Sequence, residues 1–152
     1  VTVSGTIKSY GSASEAVTVT LLQGTSVIGS PQVLTGASGS VPYSQNYSFP
    51  AVPAGEYTLK VEKKGHAPWT ESITVGDGNV TKDVTVYLWG DVNRDGKVNG
   101  TDALWIRQSS AGGRTLDAYQ KVLADLNRDG KVNGTDALWI RQISAGSRTL
   151  TY

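Results

Sequence analysis

The chain contains no cysteine and no methionine, one histidine, one phenylalanine and no excess of either charge. Each shortage removes a class of function. Without cysteine there are no disulfides and no thiolate metal sites, so a small extracellular domain needs another staple, and calcium is the natural one. Without methionine the chain lacks the usual lining of the flexible groove that a calcium sensor opens. The lone histidine, His66, has no companion for a metal or a proton relay and reads as a turn residue. A formal net charge of +1 over 152 residues gives no basic footprint for nucleic acid. No apolar run approaches the roughly 20 residues that cross a bilayer, which speaks against membrane insertion, and no charged start with an apolar core marks a signal peptide. Because Val1 falls straight into a strand-like pattern, the chain is expected to be the C-terminal piece of a longer secreted protein.

What is present divides near Gly90. Before it, Val, Thr, Tyr, Ser and Gly dominate and apolar residues alternate; after it come helix formers and most of the arginines and aspartates. The expected domains are residues 1–89, an all-β sandwich, and residues 90–152, an all-α domain with two calcium loops. Leu88-Trp89-Gly90-Asp91 joins them without a Pro, Ser or Gly run, so a stiff junction is expected. In the first domain, Val1 to Tyr10 reads as a strand, and Val17, Val19 and Leu21 alternate with threonines at the period of a half-buried strand. Val27 to Leu34 is interrupted by Pro31, which demotes it to an edge or a bulge. Tyr43 to Phe49 and Glu56 to Lys63 follow, the latter with Tyr57, Leu59 and Val61 inward. Ile73 with Val75 makes a short strand, and Val84, Val86 and Leu88 the last one. About seven short strands at even spacing predict a sandwich.

The second domain is a tandem duplication. Residues 90–116 align with 124–150 at an offset of 34, and only Gly90/Ala124, Val92/Leu126, Ser109/Ile143 and Gly113/Ser147 differ. Each copy opens with a twelve-residue loop written for a hard cation, which takes six to eight oxygen ligands. Positions one, three, five, seven, nine and twelve are Asp91, Asn93, Asp95, the carbonyl of Lys97, Asn99 and Asp102 in the first copy. The second repeats them as Asp125, Asn127, Asp129, Lys131, Asn133 and Asp136. Gly96 and Gly130 stand at position six, where the chain turns sharply. Val98 and Val132, at position eight, are expected to join the loops through a short β contact. Two loops with identical ligand sets predict two calcium ions as the cofactors.

Each loop leads into a helix with Asn99 or Asn133 near its N-cap, and Thr115 to Leu123 carries helical spacing between the copies. On the helix after the first loop Ala103 and Ile106 share one side, while Thr101, Leu104, Trp105 and Gln108 share another. So small a domain cannot cover both sides. The second side, with Trp105 or Trp139, is expected to face a partner.

An ordinary EF-hand places a helix before each loop and ends the loop on Glu; here a strand precedes Asp91 and both loops end on Asp. With its Asp-Val-Asn-Arg-Asp-Gly-Lys-Val-Asn-Gly-Thr-Asp loop, its duplication and its helix positions, the stretch 90–152 resembles a dockerin. That resemblance implies calcium-dependent binding to a cohesin of a scaffold or cell-surface anchoring protein, in a secreted cellulosome that degrades plant polysaccharide. In dockerins the partner-reading residues sit at loop positions ten and eleven and on the following helix. Residue by residue the resemblance implies Gly100, Thr101, Leu104, Trp105, Arg107 and Gln108, with Gly134, Thr135, Leu138, Trp139, Arg141 and Gln142. Many dockerins have Ser-Thr where this chain has Gly-Thr. A half-turn presents the same chemistry twice, so binding in either orientation is expected. Trp89 and Tyr152 are expected to meet as the domain's termini close.

The first domain, through Ala51-Val52-Pro53-Ala54-Gly55-Glu56-Tyr57 and the residues that follow to His66, resembles transthyretin-like and collagen-adhesin B-type (CnaB-type) sandwiches, an immunoglobulin-like fold. A sandwich joined to a dockerin further resembles the cellulosomal X-module and dockerin pair. Some adhesin sandwiches carry a Lys to Asn isopeptide bond, for which Lys8, Asn79 and Glu56 are the nominees; surface Lys and turn Asn are the usual reading. Tyr10, Tyr43, Tyr47 and Trp69 are candidates for a sugar-stacking face, with core packing as the plainer explanation. The alternative reading overall is an EF-hand-type calcium module of a secreted adhesin or glycoside hydrolase with a carbohydrate-binding sandwich. With six of thirteen acidic residues assigned to calcium and no carboxylate pair standing out, catalysis within these residues is not expected.

Overall fold

The computed structural model describes residues 1–150. It forms two compact units, Val1–Val86 and Tyr87–Tyr152, so that Tyr87, Leu88 and Trp89 go with the second. The first unit contains β1 (Val3–Ser9), β2 (Val17–Gln23), β3 (Ser26–Val27), β4 (Gln32–Leu34), β5 (Tyr43–Phe49), β6 (Gly55–Lys63), β7 (Trp69–Val75), β8 (Val80–Thr81) and β9 (Val84–Thr85). One sheet runs β5-β1-β8, with β9 also on β1; the other runs β3-β2-β6-β7, with β4 also on β2. β1 is antiparallel to β5 and parallel to β8 and β9, whereas the second sheet is antiparallel throughout.

The two-residue period decides which face of each strand is buried. Val17, Val19 and Leu21 of β2 and Tyr57, Leu59 and Val61 of β6 close on Val3 and Ile7 of β1 and on Tyr47 and Phe49 of β5 in a single core. Cutting Leu59 to alanine in so dense a cluster costs about 2–5 kcal/mol. Pro31 separates β3 from β4, and both fragments pair with β2 alone. Gly5 is required where β1 meets the chain before β9, since a Cβ there would lie 2.0 Å from the Lys82 carbonyl oxygen. The last strand is shorter than the alternation of Val84, Val86 and Leu88 predicts. It ends at Thr85, Val86 keeps one bond to the Lys8 carbonyl (2.9 Å), and Leu88 belongs to the second unit.

For two nominations in this unit the fold agrees with the plainer reading. The aromatic residues do not assemble a sugar platform: Tyr47 is buried with its hydroxyl donating to the Lys82 carbonyl (2.7 Å), and Trp69 opens β7 in the other sheet from Tyr43 and Tyr47. The isopeptide nominees Lys8, Asn79 and Glu56 are all exposed, with Lys8 and Glu56 on different sheets, while Asn79 Oδ1 accepts from Thr2 N (2.8 Å). A cross-link of that kind needs a buried triad, and the surface reading is the one the fold agrees with.

The sandwich instead buries two basic residues at one end. Lys63 continues the inward parity of β6 and is 5% exposed; its ammonium donates to Ser9 Oγ (3.1 Å) and the Tyr10 carbonyl (2.7 Å) and lies 5.2 Å from the Tyr43 ring centroid. Burial lowers its pKa, partly opposed by Glu15. His66 is also buried: Nε2 accepts from Tyr10 N (3.0 Å) and Nδ1 donates to the Lys64 carbonyl (2.8 Å), which fixes the neutral tautomer. Burial, reinforced by the nearby Lys63 charge, drives its pKa from 6.5 to about 4. A lowered folded-state value means that the unfolded chain takes up the proton first as pH falls, so the stability from neutral His66 is complete above pH 6.5 and lost towards pH 4. The sandwich is expected to lose on the order of 3 kcal/mol across that window. Denaturant melts of the full chain at stepped pH measure it; an equal slope in His66→Gln would show that another group is responsible.

Candidate metal loops and helix face

The second unit contains α1 (Gly100–Ser110), α2 (Ala118–Ala124) and α3 (Gly134–Ser144). Asn99 and Asn133 are the N-caps of α1 and α3, each accepting from the backbone two residues on. The helix between the copies starts later than its sequence spacing predicts. Asp117 caps it in a capping box with Gln120, which leaves Thr115 and Leu116 outside, and Leu116 enters the core as a loop residue. α1 packs on α3, with Ala103, Ile106, Ala137 and Ile140 buried.

Within each loop the carboxylates are arranged by the backbone they surround. Asp91 accepts from Asp95 N (3.1 Å) and Gly96 N (2.8 Å), and Asp95 accepts from Lys97 N (2.9 Å). Asp102 reaches back to Asn93 N (3.1 Å) with one oxygen and to Asn99 N (2.9 Å) with the other, closing the loop onto the helix. The second loop repeats the scheme: Asp125 on Asp129 N and Gly130 N, Asp129 on Lys131 N, and Asp136 on Leu126 N and Asn133 N. Gly96 and Gly130 take φ of 86° and 82°, which a Cβ would resist. Val98 and Val132 are in neither strand nor bridge, so the expected β contact between the loops is absent; both are half-buried side chains.

The electrostatics of these loops suit a cation. Burial pushes Asp91 up to about 7, with the N–H groups of Gly96 and Asp95 opposing and Asp102 and Asp95 adding repulsion. Burial likewise raises Asp102 and Asp136 above the ordinary carboxylate value. One oxygen each from Asp91, Asp95 and Asp102 lies within 4.8 Å of the others. Three carboxylates that close are hard oxygen donors of the kind calcium takes, and no sulfur or imidazole ligand stands in the loop sequence. The residues present therefore fit the ion.

Sequence reasoning missed the arginines. Arg94 and Arg128, at loop position four, adopt positive φ of 61° and 57°. The Arg94 guanidinium pairs with the Asp117 carboxylate at the cap of α2 and lies 5.9 Å from the ring centroids of both Tyr87 and Tyr119. That of Arg128 lies 5.0 Å from the Trp89 centroid, on the aromatic residue expected to meet Tyr152. Tyr152 itself is outside the described residues. The other pair sits on the helix face. Arg114 stacks 3.7 Å over Trp105 while its Nε donates to Gln108 (2.9 Å), and Arg148 stacks 3.9 Å over Trp139 and donates to Gln142 (2.7 Å). Trp105 and Trp139 are thus half-buried under guanidinium planes. The large apolar side chains most open on this face are Leu104 at 50% and Leu138 at 52%, beside exposed Gly100, Thr101, Arg107, Gly134, Thr135 and Arg141.

The geometry defines a duplicated, helix-capping pair of acidic loops. Residues 89–143 match the family of the Dockerin type I domain, and residues 46–88 match that of the PEGA domain. The resemblance to dockerins read from the repeats is upheld. No curated protein matches the chain. Solved structures that resemble it include three from Acetivibrio cellulolyticus. One is from the complex of the third cohesin of ScaC with a ScaB dockerin mutated in its C-terminal helix and displaying a type I interaction, at 29% identity over 42% of this chain and 90% of that chain, TM-score 0.40. Two more are an N-terminal and a C-terminal interface mutant of the type II cohesin–X-dockerin complex. The first is 24% identical with TM-score 0.41 and the second 25% with TM-score 0.35, each covering 91% of this chain and 92% of that chain.

Replacing Arg114 by alanine removes both the stack on Trp105 and the bond to Gln108. The expected result is about 1 kcal/mol of lost stability and a Trp105 ring more open to a soluble quencher. Tryptophan fluorescence quenching checks this, and Arg148→Ala, its counterpart, is expected to behave alike.

Proposed function

We propose that the chain is a non-catalytic assembly module: the second unit acts as a dockerin that binds a cohesin when calcium fills both loops, and the sandwich that precedes it in the chain is an X-module. The carrying observation is the pair of acidic loops with the same ligand residues, each locked through its last carboxylate to a helix that keeps a leucine half in water. Calcium orders the loop, the loop fixes the N-terminus of its helix, and the helix presents its face to the partner. Asp91, Asn93, Asp95, Lys97, Asn99 and Asp102 hold one ion, and Asp125, Asn127, Asp129, Lys131, Asn133 and Asp136 the other. The partner surface is built on Gly100, Thr101, Leu104, Arg107 and their counterparts Gly134, Thr135, Leu138 and Arg141. Trp105 with Gln108, and Trp139 with Gln142, form the stacked floor behind them. The setting this reading implies is a secreted, cellulosomal one that serves polysaccharide degradation, since plugs of this type work outside the cell.

Two measurements test the reading. Chelation of the full chain is expected to remove most of its helical circular dichroism while the sandwich's strand signal persists, because three closely spaced carboxylates repel until a cation lies between them. Retained helicity after exhaustive chelation would refute the coupling. For the partner, the duplicated face predicts that Leu104→Ala with Thr101→Asp leaves affinity for a matched cohesin within a few fold, since the second copy takes over. Changing both copies is expected to weaken binding by on the order of 4 kcal/mol, and calorimetry against a cohesin panel reads both outcomes.

A further inference from the structure

The two loops share their ligand types, yet the fold surrounds them differently. Asp91 is fully buried, whereas Asp125, at the same loop position, is partly exposed. Among the described residues the carboxylates of the first loop are the ones that converge into a cluster. Around that loop Gln120 Nε2 donates to the Val92 carbonyl (3.0 Å), Gly90 N donates to the Leu123 carbonyl (2.9 Å), and Arg94 ties the loop to the cap of α2. The second loop instead borders an open cleft of about 360 Å³, lined by Ser109, Lys121, Val122, Asp125, Gly130 and Val132.

The repeat itself shows why the cleft lies on that side. At the offset of 34 the counterpart of Ser109 is Ile143, whereas Lys121 and Val122 lie in α2, which has no helical counterpart before the first loop. The first repeat thus carries the smaller side chain on α1 where the second carries isoleucine on α3. Ser109, with only a hydroxymethyl group, lines the cleft beside Asp125.

We infer that the two loops are unequal calcium sites: the first is pre-organised and holds its ion tightly, the second fills last and empties first, and Ser109 sets much of the difference. The inference rests on the calcium reading above. Two physical effects act in the same direction. Ligands that already converge lose less freedom on binding, and an ion held among buried carboxylates is screened less by water than one beside an open cleft. Affinity in loops of this kind follows ligand charge and rigidity, and with charge equal here, rigidity decides. The second loop becomes the step at which falling calcium first loosens α3, while α1 stays capped.

Calcium titration of the full chain by calorimetry, with chelator competition for the tight step, tests this. Two steps are expected, at least about tenfold apart in Kd. Asp125→Asn is expected to delete the weak step and leave the tight one. Ser109→Ile, which keeps every ligand, is expected to narrow the gap at least about threefold by filling the cleft, and guards against a ligand variant that fails to fold. Two equal sites, or loss of the tight step in Asp125→Asn, would overturn the ranking while leaving calcium binding intact. Absence of any calcium uptake would overturn the calcium reading together with it.

Discussion

One carboxylate per repeat ties the second unit together. Asp102 and Asp136 are fully buried, and each accepts from a backbone N–H near the loop's start with one oxygen and from the N-cap residue with the other. A buried charge is costly unless it is bonded and balanced. Backbone N–H groups supply the bonds, but the neighbouring aspartates add more negative charge, and burial raises the pKa of each. Protonation would relieve the repulsion, yet it would also turn one of the two accepting oxygens into a hydroxyl and weaken the bonds that hold the loop and the helix cap together. A divalent cation relieves it without that loss. The loop, the cap and the helix are therefore one cooperative device, and the exposed leucines of α1 and α3 stand on it.

Much of this was legible in the sequence because it depends on local periodicity. Val17, Val19 and Leu21 announced β2 by parity, Pro31 announced the broken edge, and Asn99 and Asn133 announced the helix starts by cap chemistry. The same parity, followed two residues further along β6, would have placed Lys63 inside; a charged residue at an inward position was passed over because burial of an ammonium is rarely expected. His66 read as a turn residue, and it does follow a turn, with its N–H on the Lys63 carbonyl. What hid its role is that Tyr10, its second partner, is 56 residues away.

The arginines were unreadable for a related reason. Arg94 and Arg128 looked like surface fillers inside a ligand pattern, and nothing local says that the fourth loop residue turns back onto aromatic rings outside the loop. Arg114 and Arg148 stand six residues after the glutamines they bond, beyond the end of each helix. Helical spacing rules stop there. The turn that follows each helix brings the guanidinium back over Trp105 or Trp139, which is how tryptophans read as open binding anchors become a covered floor while their leucine neighbours stay exposed.

Duplication of the sequence does not make duplication of the environment. Two loops and two long helices share a single α2, and one helix cannot stand in the same relation to both. Its N-cap, Asp117, takes the guanidinium of Arg94 from the first loop, and its side chain at Gln120 reaches Val92 in that loop. Its C-terminus runs straight into the second, where Asp125 is both the helix C-cap and the first loop residue. The first loop is thus packed against the side of α2, and the second only continues from its end. A loop covered by a helix flank loses water; one that extends from a helix terminus keeps it. The difference between a buried Asp91 and a partly open Asp125 follows from that topology, and the Ser109 for Ile143 exchange lies on the side where the cover was already thinner.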